Sequence, residues 1–396
     1  MGVWETAEKY IKESTDEYIR FWRGLSEIES PSAYKAGVDE AGEYTKGFAA
    51  SHGLLGETVA FENAGNSLYF KGVASEEKPV LVMAHLDTVH AVGSFPKPLV
   101  YEKDGWLYGP GVFDCKGGVA VALLAASALR ESGYAKRGIR LFFTGDEEVG
   151  HRNSDDGAAI VDAAKGCAAV FNCESGPLDG RLATGRKTAH GIKLHIKGVG
   201  AHSGADPEKG RSAILEAAHK IIKIDALSDI FGTGTIVYSA LMNGGTVVNA
   251  IPEVAEVTIS MRYKDVDDAG KKLDKIYELC AVPDVEGTSI EIEDPGKLSL
   301  PMLQGRANNE VYKRYAKAGQ DLGFPVGEAY FAGGGSDATP VSHAGLPVLC
   351  QTGVRGENHH TLRERAVIAS LQERALILTR TIIDFPDDEA WGKLLD

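Results

Sequence analysis

Four apolar stretches of this 396-residue chain end in side chains that bind protons or metals. "VLVMAHLDTV", residues 80–89, delivers His85 and Asp87. "RGIRLFFTGDEEVG", 137–150, runs into Asp146, Glu147 and Glu148, and "CAAVFNCESG", 167–176, into Glu174. "LPVLCQTGVRGEN", 346–358, is followed by His359 and His360. Asp114 sits in "GPGVFDCKGG", 109–118, a glycine-rich turn entering a helix. Each feature alone is ordinary, since a histidine after a strand is usually just hydrogen-bonded and an acidic turn is usually solvated. Their common placement changes the odds, because ligands of open α/β sheets sit outside the carboxyl ends of the strands.

Histidines together with several carboxylates suit a pair of divalent cations. Zinc is the ordinary choice for mixed nitrogen and oxygen ligands, and cobalt or manganese fits the same set. Two cations about 3.5–4 Å apart need a shared carboxylate or water between them, and together they polarise a carbonyl and acidify that water. A further carboxylate, not tied to metal, must take the proton. Adjacent Glu147 and Glu148 do not easily both face the metals, so one of them is available for that task.

The elements that must position these groups read as follows. The first fifty residues form two helices, with Ile11, Tyr18, Trp22 and Leu25 at helical spacing. "PVLVMAHLD" and "RGIRLFFTG" are strands apolar enough to be buried on both faces. "GGVAVALLAASALRESG", 117–133, is a helix stopped by Gly133, "GAAIVDAAKG" another, and "CAAVFNCES" a strand. This alternation predicts an α/β domain whose mixed, largely parallel sheet is flanked by helices. Near Gly185 the pattern changes to half-exposed strands around two helices, in the order β-α-β-β-α-β of a smaller α+β, ferredoxin-like domain. The expected division is 1–185, 186–296 and 297–396, the last part returning to the α/β domain.

Lys and Arg number 42 against 56 Asp and Glu, a net charge of −14, which argues against nucleic acid or an anionic membrane as partner. The N-terminal segment has no apolar signal core. No apolar run is long enough to span a bilayer. Five cysteines without a CxxC pair read as reduced thiols in a cytoplasmic protein. No GxGxxG follows an early strand, and "GGGSDAT", 333–339, is not the GxSxG nucleophile elbow, so neither a dinucleotide enzyme nor a serine hydrolase is expected.

The motifs "AHLDTV", "GPGVFDCKGG", "GDEEVG", "ESG", "GVGAHSG", "VVNAIPE", "MRY", "GGGSDAT" and "HHT" occur in an order that resembles the di-zinc aminoacylase/carboxypeptidase family. That family includes aminoacylase, acetylornithine deacetylase, succinyl-diaminopimelate desuccinylase and the bacterial glutamate carboxypeptidases, and the last resemble this chain most. The resemblance spans essentially residues 10–385. It implies that His85 and Glu174 are ligands of one zinc, Glu148 and His360 of the other, and Asp114 the bridge. Glu147 is then the general base and Asp87 the catalytic-site residue that fixes the tautomer of His85. The bond between Asp114 and Cys115 is expected to be cis. The smaller domain becomes a lid and dimerisation domain, in which His202 reaches a neighbouring subunit's site to stabilise the oxyanion and Asn249 and Arg262 grip the substrate carboxylate.

The implied reaction is hydrolysis of the amide bond of a dipeptide-like or N-acyl amino acid substrate, through a metal-bridging hydroxide and a glutamate base. The partner is a small molecule or short peptide with a free carboxylate, and the protein is a homodimer. An aminoacylase or deacetylase with the same site is the alternative. From another class, the rival is a non-catalytic metal-binding scaffold of the same fold. Two departures matter: "ESG" stands at 174–176 where the glutamate carboxypeptidase type often has "EPT", and the "HH" pair makes His359 a second candidate for the last ligand.

Overall fold

The strand Glu77–His85 is buried from Val80 onward, as an all-apolar run requires when both faces are covered. In the computed structural model, which describes residues 1–71 and 75–395, it is the middle of an eight-stranded sheet. It pairs in parallel with Arg137–Thr144 on one side and Ala169–Asn172 on the other, and the latter pairs in parallel with Val348–Cys350. The flanks are antiparallel: Ser67–Phe70 against Arg137–Thr144, Gly56–Val59 against Ser67–Phe70, and Leu182–Arg186 against Val348–Cys350. Four parallel central strands therefore end at one edge. Register places His85 beside Thr144 and Met83 beside Asn172.

Helices Val3–Ser26, Lys116–Glu131 and Ser370–Ile383 contribute to the core that packs with this sheet. Residues 116–129 of the second are all buried, so it is the central helix of its layer. Burying one Leu or Val side chain contributes about 1.5–3 kcal/mol, and this helix alone buries five, Val119, Val121, Leu123, Leu124 and Leu129. Trp22, fully buried, ties the first helix to the loop before Asp114 through Nε1 to the Val112 carbonyl at 2.9 Å.

A five-stranded sheet was not foreseen from the sequence. It orders Tyr101–Lys103, Trp106–Tyr108, Arg365–Val367, Arg355–Glu357 and Gly176–Pro177. Strands of two or three residues are too short to show a period of two.

The chain divides into two compact units. Met1–Gly185, Leu303–Ala332 and Ser336–Asp396 form the first, and Arg186–Met302 with Gly333–Gly335 the second. The second runs past residue 296 because Arg186 and Met302 exchange backbone hydrogen bonds of 3.3 and 3.0 Å. Its main elements are Thr188–Lys197, helix Ala213–Asp225, Ile236–Gly244, Val254–Tyr263, helix Val266–Ala281 and Ser289–Glu293, the ferredoxin-like order. The strands are antiparallel and alternate: Ile192, Leu194 and Ile196 share a buried core with Val257, Ile259 and Met261. Both helices are capped, by the Ser212 hydroxyl accepting Leu215 N–H and the Asp265 carboxylate accepting those of Asp267 and Asp268. All five cysteines are buried, and none forms a disulfide among the described residues. Among the described residues, no helix is long and apolar enough to cross a membrane.

Candidate metal centre

The carboxyl edge of the parallel strands gathers the acidic and histidine side chains in the first unit. His85 Nε2 lies 3.2 Å from Asp114 Oδ1 and 3.6 Å from Glu174 Oε1. His360 Nε2 lies 3.4 Å from Asp114 Oδ2 and 3.2 Å from Glu148 Oε2. The two oxygens of one carboxylate thus face two different histidines, each of which has a second carboxylate of its own. His359 lies within ion-pair distance of no carboxylate among the described residues. Its ring instead meets those of Phe113 and His360. His360 adopts φ 60°, a left-handed conformation that costs about 1 kcal/mol for a residue with a β-carbon and needs such side-chain contacts to hold it.

These spacings fit metal ligands. Two donors bonded to one zinc at about 2.1 Å and the tetrahedral angle lie about 3.4 Å apart. Glu148 Oε1 is buried without a hydrogen-bond partner among the described residues, an orphaned acceptor beside the histidines that a cation would satisfy. Cys115 also lies close enough to His85 and Glu174 to join a ligand set. Its Sγ–H, however, donates to the Cys173 carbonyl at 3.1 Å, and burial pushes the thiol well above its usual pKa. A thiol so disposed is a poor ligand, and Asp114 is the better donor. The Asp114–Cys115 peptide is cis.

Asp87 is fully buried behind His85, with Oδ1 3.4 Å from Nδ1. Its carboxylate also accepts Ser32 Oγ–H at 2.6 Å and the backbone N–H groups of Glu147 and Glu148 at 3.2 and 3.1 Å. Burial would raise its pKa, but the hydrogen bond and positive charge of His85, with Ser32 and the Glu148 N–H, lower it on balance. Glycines make the close approach possible. A β-carbon at Gly118 or Gly353 would stand 1.9 or 2.1 Å from the Cys173 carbonyl, so only glycine lets these segments touch the strand end that carries Glu174.

Glu364 escaped the sequence reading. It is buried, and its carboxylate accepts the N–H groups of Gly111, Phe113 and Asp114 at 3.2, 2.9 and 3.0 Å while meeting His90 Nε2 at 2.8 Å. One segment therefore supplies His360 and, four residues later, the clamp on the loop that presents Asp114. Nothing in the sequence marks this role, because the groups it binds are backbone amides some 250 residues away. Asp337 was missed as well: it accepts Thr144 Oγ1–H at 2.6 Å and pairs with His151 at 2.7 Å, bracing the turn of Glu147 and Glu148.

The electrostatics follow from burial and crowding. Burial raises the pKa of Glu147 well above the carboxylate range, and the charge of Glu174 adds to it. Among the described residues no group hydrogen-bonds its carboxylate. Burial, then the charge of Asp114, pushes Glu148 up to about 7. Asp114 goes the other way: burial opposes ionisation, but hydrogen bonds from His360 and His85 outweigh it and hold the carboxyl far below its usual range. His360 is pushed up to about 10 by its bonds to Asp114 and Glu148. A cation entering this cage must displace that proton.

In the second unit, His202 and Asn249 lie on neighbouring segments. Ala201–His202 pairs with Ala250–Ile251, and Ser203 N–H donates to the Asn249 carbonyl at 3.0 Å. His202 is exposed, and its Nδ1 accepts the N–H groups of Gly204 and Ala205, each at 3.1 Å. An accepting Nδ1 leaves the proton on Nε2. Arg262, on Val254–Tyr263 between Ala189 and Ile236, is half-buried with no carboxylate paired to it among the described residues.

Carboxypeptidase G2 of Pseudomonas sp. strain RS-16 is 28% identical over 386 residues, covering 94% of this chain and 90% of the relative. A succinyl-diaminopimelate desuccinylase of Cereibacter sphaeroides is 28% identical over 297 residues, 71% of this chain and 76% of its own. In fold, the M20 family metallo-carboxypeptidase Sso-CP2 of Sulfolobus solfataricus superposes with a TM-score of 0.73 at 16% identity, over 94% of this chain and 98% of that one. The family model for peptidase family M20/M25/M40 matches residues 81–384. This span contains Asp114 and the four side chains gathered around it, and the chain is a hydrolase that belongs to peptidase family M20/M25/M40.

Proposed function

We propose that this hydrolase cleaves the amide bond of a dipeptide-like or N-acyl amino acid substrate with a free carboxylate, in the carboxypeptidase manner, at a two-zinc centre. The observation behind this reading is the split carboxylate of Asp114, with Oδ1 3.2 Å from His85 Nε2 and Oδ2 3.4 Å from His360 Nε2. In this reading His85 and Glu174 hold one cation, Glu148 and His360 the other, and Asp114 both. Zinc suits the mixed donors, and cobalt or manganese is accepted by the same set. Bound there, the cations polarise the scissile carbonyl and acidify water.

The chain's own residues do the rest. Glu147, whose carboxyl group is raised in pKa and has no hydrogen-bond partner among the described residues, takes the proton of the attacking water and returns it to the leaving nitrogen. Asp87, through its backbone carbonyl 3.0 Å from Nδ1 and its carboxylate at 3.4 Å, keeps His85 in the tautomer whose Nε2 is free to bind metal. His202 offers an Nε2–H to the carbonyl oxygen as negative charge develops on it. Arg262, a guanidinium without a carboxylate partner among the described residues, and Asn249 grip the substrate carboxylate. The match to carboxypeptidase G2 over 94% of this chain supports the exopeptidase form, and the desuccinylase relative supports a second reading, an N-acyl amino acid deacylase with the same machinery.

The second unit also supports a homodimer. Ile236–Gly244 is an edge strand with Tyr238, Leu241 and Met242 exposed, an edge that a second copy covers. The deciding experiment is a panel of N-acyl amino acids and C-terminal dipeptides assayed with and without a chelator. Chelator-sensitive hydrolysis of at least one is expected. None at all would leave the non-catalytic scaffold as the better account.

A further inference from the structure

The Glu147 carboxylate has no hydrogen-bond partner among the described residues, so where it stands depends on its backbone, whose N–H is held by Asp87 at 3.2 Å. That backbone is a tight turn. Gly150 N–H donates to the Glu147 carbonyl at 2.7 Å and His151 N–H to the Asp146 carbonyl at 3.0 Å. Closing the turn takes two consecutive left-handed residues, Gly150 at φ 66° and His151 at φ 56°. Glycine adopts this conformation freely. For a residue with a β-carbon it costs about 1 kcal/mol and persists only where the surroundings enforce it.

The His151 side chain supplies that enforcement. Its Nε2 lies 2.7 Å from Asp337 Oδ1, and its Nδ1 is buried with no partner among the described residues, so Asp337 is the ring's anchor. The other oxygen of Asp337 accepts Thr144 Oγ1–H at 2.6 Å. Thr144 ends the strand Arg137–Thr144 that enters the turn, and His151 leaves it, so a single carboxylate holds both ends. Asp337 is itself buried and directly precedes helix Ala338–His343, whose Ala338 and Val341 are fully buried, which makes it a fixed mount. It belongs to "GGGSDAT", a stretch to which the proposed reaction gives no task. The neighbouring acid has support of its own, because Glu148 faces His360 at 3.2 Å and serves as a ligand in the proposed centre. Loss of the brace would therefore show at Glu147.

We propose that His151 and Asp337 are positioning residues that hold the Glu147 carboxylate in place for proton transfer by bracing the two ends of its turn. This inference rests on the reading of Glu147 as the base. A reacting group displaced by about 1 Å loses rate on the order of 100-fold, even where substrate still binds.

The test compares kcat, KM and bound metal per chain in His151→Ala, His151→Gln and Glu147→Gln of the full chain, well below the Tm of each. The substrate is the N-acyl amino acid or dipeptide that the parent cleaves fastest. His151→Ala should lower kcat about 10–100-fold with KM and metal content unchanged. His151→Gln, whose amide nitrogen stands where Nε2 stood, should keep most of the rate. Thr144→Val, of the same shape without the hydroxyl, should lower kcat less and serves where His151→Ala does not fold. Parental kcat in the variants that lose a bond to Asp337 overturns the brace and leaves Glu147 as the base. So does a loss of metal in place of rate, or a His151→Gln no faster than His151→Ala. A parental rate in Glu147→Gln overturns the base reading and this inference with it.

Discussion

The Asp87 carboxylate accepts the backbone N–H of Glu147 at 3.2 Å, so the group behind one histidine also fixes the residue proposed as the base. Asp87 is therefore engaged on two sides, with His85 Nδ1 at 3.4 Å and the 147–148 turn through Glu148 N–H at 3.1 Å. Replacing it with Ala should weaken metal affinity by roughly 10–100-fold, the usual result of removing a group that orients a ligand. Rate should fall further than ligand loss explains, because the turn also slips. Metal titration followed by activity at saturating metal separates the two effects. Full activity at saturating metal would limit Asp87 to its histidine.

Glu147→Gln keeps the shape of the side chain and removes its ability to take a proton. Metal content per chain should be unchanged while kcat falls about 10²–10⁴-fold, the typical contribution of general base catalysis. Elemental analysis beside steady-state kinetics checks this, and a rate near that of the parent would refute the assignment.

The two adjacent histidines should behave differently. His360 faces Asp114 and Glu148 at 3.4 and 3.2 Å, whereas His359 faces aromatic rings. His360→Ala should lower bound metal per chain and abolish turnover, and His359→Ala should do neither. The reverse pattern would move the ligand one residue back.

Glu364→Ala frees three backbone N–H groups from their shared acceptor and loosens the loop of Asp114. The expected outcome is a drop in metal affinity of about 10-fold or more in calorimetric titration, with the variant still folded. An unchanged affinity would make the clamp purely structural.

His151 supplies a pH signature of stability. Burial works against its charge, but the ion pair with Asp337 prevails and carries its pKa from 6.5 to about 9. A histidine raised on folding stabilises fully below about 6.5, and its contribution is lost as pH climbs through about 9. A displacement of that size is worth about 3 kcal/mol. Tm should fall between those limits, and His151→Asn should flatten that fall. Parallel slopes for parent and variant would contradict it.

Much of this protein was legible in its sequence for a simple physical reason. Buried parallel strands must be continuously apolar, so the polar residues that end them, His85, Glu147, Glu148 and Glu174, stand out against their neighbours. The β-α-β-β-α-β order of the second unit was equally visible, because half-exposed strands alternate. Tertiary structure alone decided which oxygen of Asp114 faces which histidine, that His360 rather than His359 turns toward it, and that Glu364 holds its loop. Those facts depend on distances between residues far apart in the chain and on bonds to backbone amides, which every residue type but proline presents alike. Arg374 makes the same point in the core: an arginine in an amphipathic helix reads as solvated, and only packing on every side reveals that it is fully buried beside Glu373.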